Sequence, residues 1–282
     1  AHRLGGAVSG SQFPLADLAL ARRIEAATTA DLISYAESAR STGIYPTTEV
    51  LRVGGGVALW FSPGNVVNGS FGLGMNGSVE QEEVAALIAF LEEHGAPAST
   101  NVCPLADPSL LRWLAHYGFV ATDFETVLYQ PLPAPEPVPL ASNMRIAIAG
   151  SEEERELWTL LEARGFRDDN FTDDDLVLSR ALSLRGDAMP FIGYVDGEPA
   201  GTGMLVIADG VAMFNGDSTL PAMRGRGVQS AMLAERLRVA SAQGADLAVI
   251  EAAPGGTSER NQQRAGFRIA YTRVTVEKPG TL

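Results

Sequence analysis

Between Pro131 and Leu140 the sequence reads PLPAPEPVPL, five prolines in ten residues. Proline lacks a backbone N–H and fixes φ, so this run can neither continue a helix nor join a central strand, and is expected to run extended between folded units. It cuts the 282 residues nearly in half. Two domains follow, 1–132 and 144–282, joined by a linker over 133–143, each long enough for its own core.

The two segments echo one another. WLAHYGFVATDFETVLYQ before the cut and NQQRAGFRIAYTRVTVEK at the end of the chain each read as a helix end, a Gly-Phe and an alternating strand. Gly118 and Gly266 lie 266 − 118 = 148 residues apart. In each copy the glycine suits the positive φ of a helix C′ position, and Phe119 or Phe267 packs back on the helix.

The second segment gives the fuller pattern. Three strand-like runs from Met189 to Leu220 are split by Asp196-Gly197 and Asp209-Gly210, dipeptides that favour two-residue hairpins. VAMFN is the third of these strands, with Asp217 after it. The glycine-rich RGRGVQSAM then opens a helix whose Leu233, Leu237 and Ala240 share a face and which Gly244 ends. DLAVIEA reads as a short apolar strand, and a second helix follows, capped by Thr257 or Ser258. Upstream, SEEERELWTLLEARGF and DDDLVLSRALSLRG are helices, the first with Ser151 and Glu154 as a capping box. In the first segment, SVEQEEVAALIAFLEEHG is a helix with Ser78 and Gln81 as its capping box, STNVCPLAD a strand, and DPSLLRWLAHYG a helix with Asp107 at N-cap and Pro108 at N1. It lacks the arginine-glycine loop.

Composition narrows the function. With 46% hydrophobic and 20% charged residues the chain suits a globular protein, and no run approaches the roughly 18 apolar residues of a membrane span. The N-terminus lacks the signal-peptide succession, so the expectation is a cytoplasmic protein with no membrane partner. The net charge of 21 − 34 = −13 argues against nucleic acid as a partner. The lone Cys103 and the scattered His2, His94 and His116 give no basis for a metal site. Cys103 reads as a buried small hydrophobe, and Trp60, Trp113 and Trp158 as packing residues.

Arg224-Gly225-Arg226-Gly227-Val228 lies just before a helix, where bare N–H groups and the positive end of the helix dipole converge on an anion such as pyrophosphate. With the surrounding strand and helix order and the closing Gly266-Phe267, the segment resembles the GCN5-related N-acetyltransferase superfamily, whose loop runs Gln/Arg-x-x-Gly-x-Gly/Ala. Gln229 stands where Gly or Ala is usual. The first segment resembles a degenerate copy of the same fold. The resemblance implies an α/β (α+β) architecture of two tandem domains, each a mixed, mostly antiparallel sheet flanked by helices. It also implies acetyl-coenzyme A as co-substrate and acyl transfer to a primary amine of a small molecule or peptide, and it admits a homodimer.

Residue by residue, the resemblance places the pyrophosphate on the N–H groups from Arg224 through Gln229 to Ser230, and the pantetheine arm along Asp217, Ser218, Thr219 and Leu220. Ser258 and Asn261 fall in the helix that touches pantetheine in relatives; capping and a surface amide are their other roles. The position where relatives often carry a tyrosine acid is Gln262, which is no acid; Tyr271 is the nearest tyrosine, with cross-strand packing as its other role. Asp217 and Glu251 are the carboxylates nearest the expected splay, either one a candidate base or a plain turn or strand-end acid. The cluster Arg167–Asp175 either borders the acceptor pocket or caps a helix through Thr172 and Asp173. The rival to an enzyme is a coenzyme A-binding sensor or scaffold without turnover.

Overall fold

The computed structural model describes residues 13–134, 140–168 and 170–280. The first dozen residues and the centre of the proline-rich linker, 135–139, lie outside the described residues. The first half contains α1 (Leu18–Ser41), β1 (Glu49–Val53), β2 (Gly56–Trp60), β3 (Gly69–Phe71), α2 (Gln81–Glu93), β4 (Ser99–Val102), α3 (Pro108–His116) and β5 (Val120–Pro131). The second contains β6 (Met144–Ile148), α4 (Glu152–Arg167), α5 (Asp173–Ser183), β7 (Ala188–Val195), β8 (Glu198–Ala208), β9 (Val211–Thr219), α6 (Val228–Ala242), β10 (Leu247–Ala252), α7 (Thr257–Arg264) and β11 (Arg268–Glu277).

Local chemistry explains most boundaries. Ser151 and Glu154 form the expected capping box of α4, Thr172 and Asp175 one on α5, and Asp107 with Pro108 starts α3. Asp196 and Asp209 take positive φ ahead of Gly197 and Gly210, giving the two hairpins. Three readings shift. The box on α2 is Glu80 with Glu83 rather than Ser78 with Gln81, because the helix begins two residues later. The N-cap of α7 is Gly256, so Thr257 and Ser258 are already helical. The strand VAMFN runs on to Thr219, placing Asp217 inside β9 rather than after it.

All the strands join one sheet in the order β1-β2-β3-β4-β11-β5-β10-β9-β8-β7-β6. The strand that follows each Gly-Phe crosses over: β5, from the first half, lies between β11 and β10, and β11, from the second, lies between β4 and β5. Pro131 ends β5 opposite Leu247, so the proline run starts inside the sheet at a strand terminus, where a missing N–H is tolerated. Each half thus supplies a strand that the other's sheet needs, and the sheet does not break at the linker. The alternation of β10 separates two layers. Leu247 and Val249 pack with α1 and α4 through Leu20, Ile24, Trp158 and Leu161, while Ala248 and Ile250 pack with α6 through Met232, Leu233 and Leu237.

Candidate functional site

Two irregularities in the second half create an opening. β9 runs parallel to β10 from Val211↔Leu247 to Phe214↔Ile250, where the pairing stops. Just beyond, β9 carries a bulge: Thr202 and Met204, two residues apart on β8, face Ser218 and Asn215, three apart on β9. Gly216 turns this bulge at φ +61, and a Cβ there would meet the Trp158 ring at 2.9 Å. The extra residue swaps sides. Asp217 faces Arg236 on α6, while Ser218 faces α4 and donates to the Leu161 carbonyl at 3.2 Å.

Above the opening sits the start of α6. Gly225 and Gly227 take φ +76 and +82, and Gly227 is the N-cap, with no side chain accepting from the first turn. The N–H groups of Val228, Gln229 and Ser230 therefore have no intrahelical partner, as at any helix start, and here no side chain caps them. Such an end attracts anions. Val228 is buried against Val195 and Ala200, which anchors the loop. Arg224 pairs with Asp168 and donates to the Gly165 and Thr219 carbonyls at 3.3 Å; Arg226 lies 3.6 Å from Asp196. Arg224 thus ties the acidic connection between α4 and α5 to the loop, while Asp175 of the same cluster serves as a cap.

Below the loop, a narrow cleft between α6 and α7 is lined by Asp217, Gln229, Ser230, Leu233, Arg236, Ile250, Asn261 and Gln262. Asn261 donates to the Gln229 side chain across it at 3.2 Å, and Gln262 donates to Ser258 at 3.0 Å. The fold thus gathers Asp217, Gln229, Ser230, Asn261 and, through Gln262, Ser258, residues far apart in sequence. Thr219 and Leu220 continue from the bulge towards the loop.

Glu251 and Tyr271 lie elsewhere. Glu251 follows Leu247 and Val249 onto the α1 and α4 side of the sheet, opposite Asp217. It accepts from Arg273, a fully buried guanidinium that also donates to Glu25 at 2.8 Å and to Thr28 at 3.1 Å and lies 3.8 Å from Glu125. Tyr271 donates to Glu25 at 2.7 Å from the middle of this network, and burial pushes its hydroxyl far above the usual phenol range. It lies one strand further from the splay than β5, opposite Val127. Burial, reinforced by the charge of Glu251, raises the Glu125 carboxyl to about 8.

Asp217 is held differently. Arg236, with no exposed surface, takes both its carboxylate oxygens, donates to the Met204 carbonyl at 3.0 Å and lies over the Phe214 ring at 4.9 Å. Burial pushes the Asp217 carboxyl up and Arg236 opposes it. Sequence reasoning passed over Arg236, although a charged residue between Leu233 and Leu237 on an apolar stripe signals a buried pair. Glu125 and Glu25 gave no such signal, because they reach Arg273 only through strand exchange and α1. Cys103 is buried, its thiol raised to about 11 by desolvation, as suits a packing residue.

No protein-family model matches the chain, and no curated protein matches it in sequence. Solved structures do match in shape. A GCN5-related N-acetyltransferase from Kribbella flavida superposes at a TM-score of 0.64 with 19% identity, over 86% of this chain and 94% of that one. The chain has the fold of the GCN5-related N-acetyltransferases. Another from Sphaerobacter thermophilus gives 0.53 at 19% identity, over 83% of this chain and 77% of that one. A tandem protein of the fold, from the clavulanic acid biosynthesis pathway, gives 0.53 at 17% identity, over 84% of this chain and 85% of that one.

In that tandem fold the two halves differ at one decisive helix start. At the 148-residue offset, Met75-Asn76-Gly77 corresponds to Met223-Arg224-Gly225. In the first half, however, the carboxylates of Glu80 and Glu83 occupy the start of α2. A cleft of about 430 Å³ lies in that half between α1 and the loops at Gly55 and Gly72, bordered by Arg22, Arg52 and Glu37. It has no open helix start. Among the described residues no helix is long and apolar enough to cross a membrane, and no group of His, Cys, Asp or Glu suits a metal.

Proposed function

We propose that the chain transfers an acyl group, acetyl in the first instance, from acyl-coenzyme A directly to a primary amine of a small molecule or peptide. The single observation that carries this reading is the uncapped start of α6, turned by Gly225 and Gly227, directly above the splay of β9 and β10. The N–H groups from Arg224 to Ser230 would hold the pyrophosphate, and the arm would pass along Asp217–Leu220 into the cleft beside Asn261 and Ser258. Glu251, beside Glu125 on the opposite side of the sheet, would take the proton from the acceptor ammonium. The neutral nitrogen then attacks the thioester carbon, the C–S bond breaks, and the further proton that the nitrogen loses is taken up, directly or through solvent, by the departing thiolate, which leaves as the thiol. The second half carries this chemistry and the first contributes structure, including Glu125. Titration with coenzyme A, followed by thiol release from acetyl-coenzyme A with a panel of amines, tests the reading.

A second reading, a coenzyme A sensor or scaffold without turnover, draws support from the same geometry. Gln262 is no acid, Arg236 occupies both oxygens of Asp217, and the Tyr271 hydroxyl is bound to Glu25. Tight binding without thiol release for any amine would favour it.

A further inference from the structure

The cleft of the first half has a chemistry of its own. One face of α1 walls it, from Arg22 through Ala26, Thr29 and Ile33 to Glu37, a rise of about 22 Å at about 1.5 Å per residue. Opposite stand Met75 and the turns at Gly55 and Gly72, both glycines at positive φ. A Cβ at Gly72 would lie 2.6 Å from Thr29 Oγ1, so bare backbone closes on the helix midway along the cleft. Val50, two residues before Arg52, packs in the apolar cluster of Tyr35 and Ala39, which sets Arg52 towards the Glu37 end. Three charges here are unspent. Arg22 gives Nε to the Met75 carbonyl at 2.7 Å, which orients its guanidinium and leaves both Nη groups open. Arg52 and Glu37 line the cleft with no hydrogen bond or ion pair among the described residues. Glu25, by contrast, is taken by Tyr271 and Arg273, and Ser34 by Asp187. The chain holds 34 Asp and Glu against 21 Lys and Arg, and Arg23, Arg185, Arg224, Arg236 and Arg273 each have a carboxylate; Arg22 and Arg52 have none.

We propose that this cleft binds a short, extended peptide with free ends, its C-terminal carboxylate on Arg22 and its N-terminal ammonium on Glu37. Such a site is independent of acyl transfer at α6. Opposite charges at the two ends of one cleft, held apart rather than paired, suit a zwitterion whose own charges are equally far apart. A single amino acid is too short. At about 3.4 Å per residue, about five residues together with the reach of the two side chains span the distance. The close approach of Gly72 to Thr29 admits a thin chain with small side chains rather than a ring, and Ala26, Ile33 and Met75 give that chain apolar contact. The open fork of Arg22 matches a carboxylate, while Arg52 donates to a peptide carbonyl near the ammonium end. A volume of about 430 Å³ lies within the range of ligand sites, about 300–1,000 Å³.

Calorimetric titration of the full chain with pentaalanine, its N-acetylated form and its C-terminal amide tests this, in wild type, Arg22→Gln and Glu37→Gln, with the melting temperature of each. The expected result is one equivalent of pentaalanine, with binding about tenfold weaker for either capped peptide. In Glu37→Gln the free and acetylated peptides should bind alike, and in Arg22→Gln the free and amidated ones, while both variants stay folded. If Arg22→Gln does not fold, Arg22→Met is read by the same criteria. Absence of saturable pentaalanine binding overturns the assignment, as does equal binding of free and capped peptides in wild type. Variants that keep the wild-type preference for free ends also overturn it. Succinate bound as tightly as pentaalanine would mark a plain anion site and overturn it too. All of these outcomes leave the coenzyme A reading standing.

Discussion

Arg236 grips Asp217 with both ends of its guanidinium, Nη1 meeting Oδ2 at 3.0 Å, across the contact between α6 and β9. The pair ties the bulged strand to the helix whose start is the candidate phosphate site. Gly203 makes room for it, since a Cβ there would lie 2.8 Å from the guanidinium carbon. Removing one partner strands the other, so Arg236→Leu should destabilise the fold by about 3–5 kcal/mol. Replacing both, as Arg236→Met with Asp217→Leu, should recover most of that loss. Chemical denaturation of the two variants measures it; equal losses in both would show that the pair is not the source.

The two candidate carboxylates should separate in kinetics. Glu251→Gln is expected to lower kcat about a hundredfold or more with little change in KM for the acyl donor, as for loss of a general base. Asp217→Asn, which weakens its ion pair with Arg236, should lower the melting temperature and leave the shape of the pH–rate profile as in wild type. The opposite assignment of these two phenotypes would move the base to Asp217.

The Glu125 carboxyl is raised to about 8 in the fold against about 4.3 unfolded. Between those values the folded state holds more protons than the unfolded state. Its contribution to stability is therefore fully present below about pH 4 and lost as pH rises towards 8. Melting temperatures of wild type and Glu125→Gln across pH 5–8 should show a downward slope in wild type that is reduced in the variant. Parallel curves would contradict the placement of Glu125 beside Glu251.

Strand exchange makes the halves interdependent. β5 hydrogen-bonds to β10 and β11, and β4 to β11. Residues 1–132 alone would leave long strand edges unpaired, as would 144–282 alone. Each fragment expressed separately should give an unfolded or aggregated chain by circular dichroism, and co-expression should restore a folded complex. A cooperative melt from either fragment alone would contradict this interlock.

Stoichiometry distinguishes the halves as sites. Glu80 and Glu83 place two carboxylates at the start of α2, where the equivalent α6 presents glycine. Coenzyme A should therefore bind at one equivalent per chain, and two equivalents in calorimetry would show that the first half also binds.

How much of this was legible beforehand follows from the range of the interactions involved. Ser151, Thr172, Asp107, the Asp-Gly hairpins and both Gly-Phe turns act within four or five residues, and the sequence alone located them. α1 escaped notice because its buried face is rich in small residues, Ala21, Ala27, Ala36 and Ala39, which give little hydrophobic contrast. The crossing of β5 and β11 is a pairing over more than a hundred residues, so no local pattern encodes it. That crossing in turn decides which acids meet Arg273, and so hides the cluster of Glu25, Glu125 and Glu251. The bulge at Gly216 reverses the side of Asp217, which the alternation of VAMFN could not reveal.

The central claim, that the loop from Arg224 to Gln229 binds the pyrophosphate of coenzyme A, is tested most directly by the affinity of Gly227→Glu beside its melting temperature. The nearest atom to a Cβ at Gly227 is Met144 Cε at 4.0 Å, so a side chain has room, and the positive φ costs on the order of 1–2 kcal/mol. That corresponds to a drop of several degrees in the melt. A carboxylate over the N–H groups removes donors to a charged ligand, each worth about 1.5–3 kcal/mol, so binding should weaken by about a hundredfold or more while the protein stays folded. A folded variant that binds coenzyme A as tightly as wild type would contradict the account.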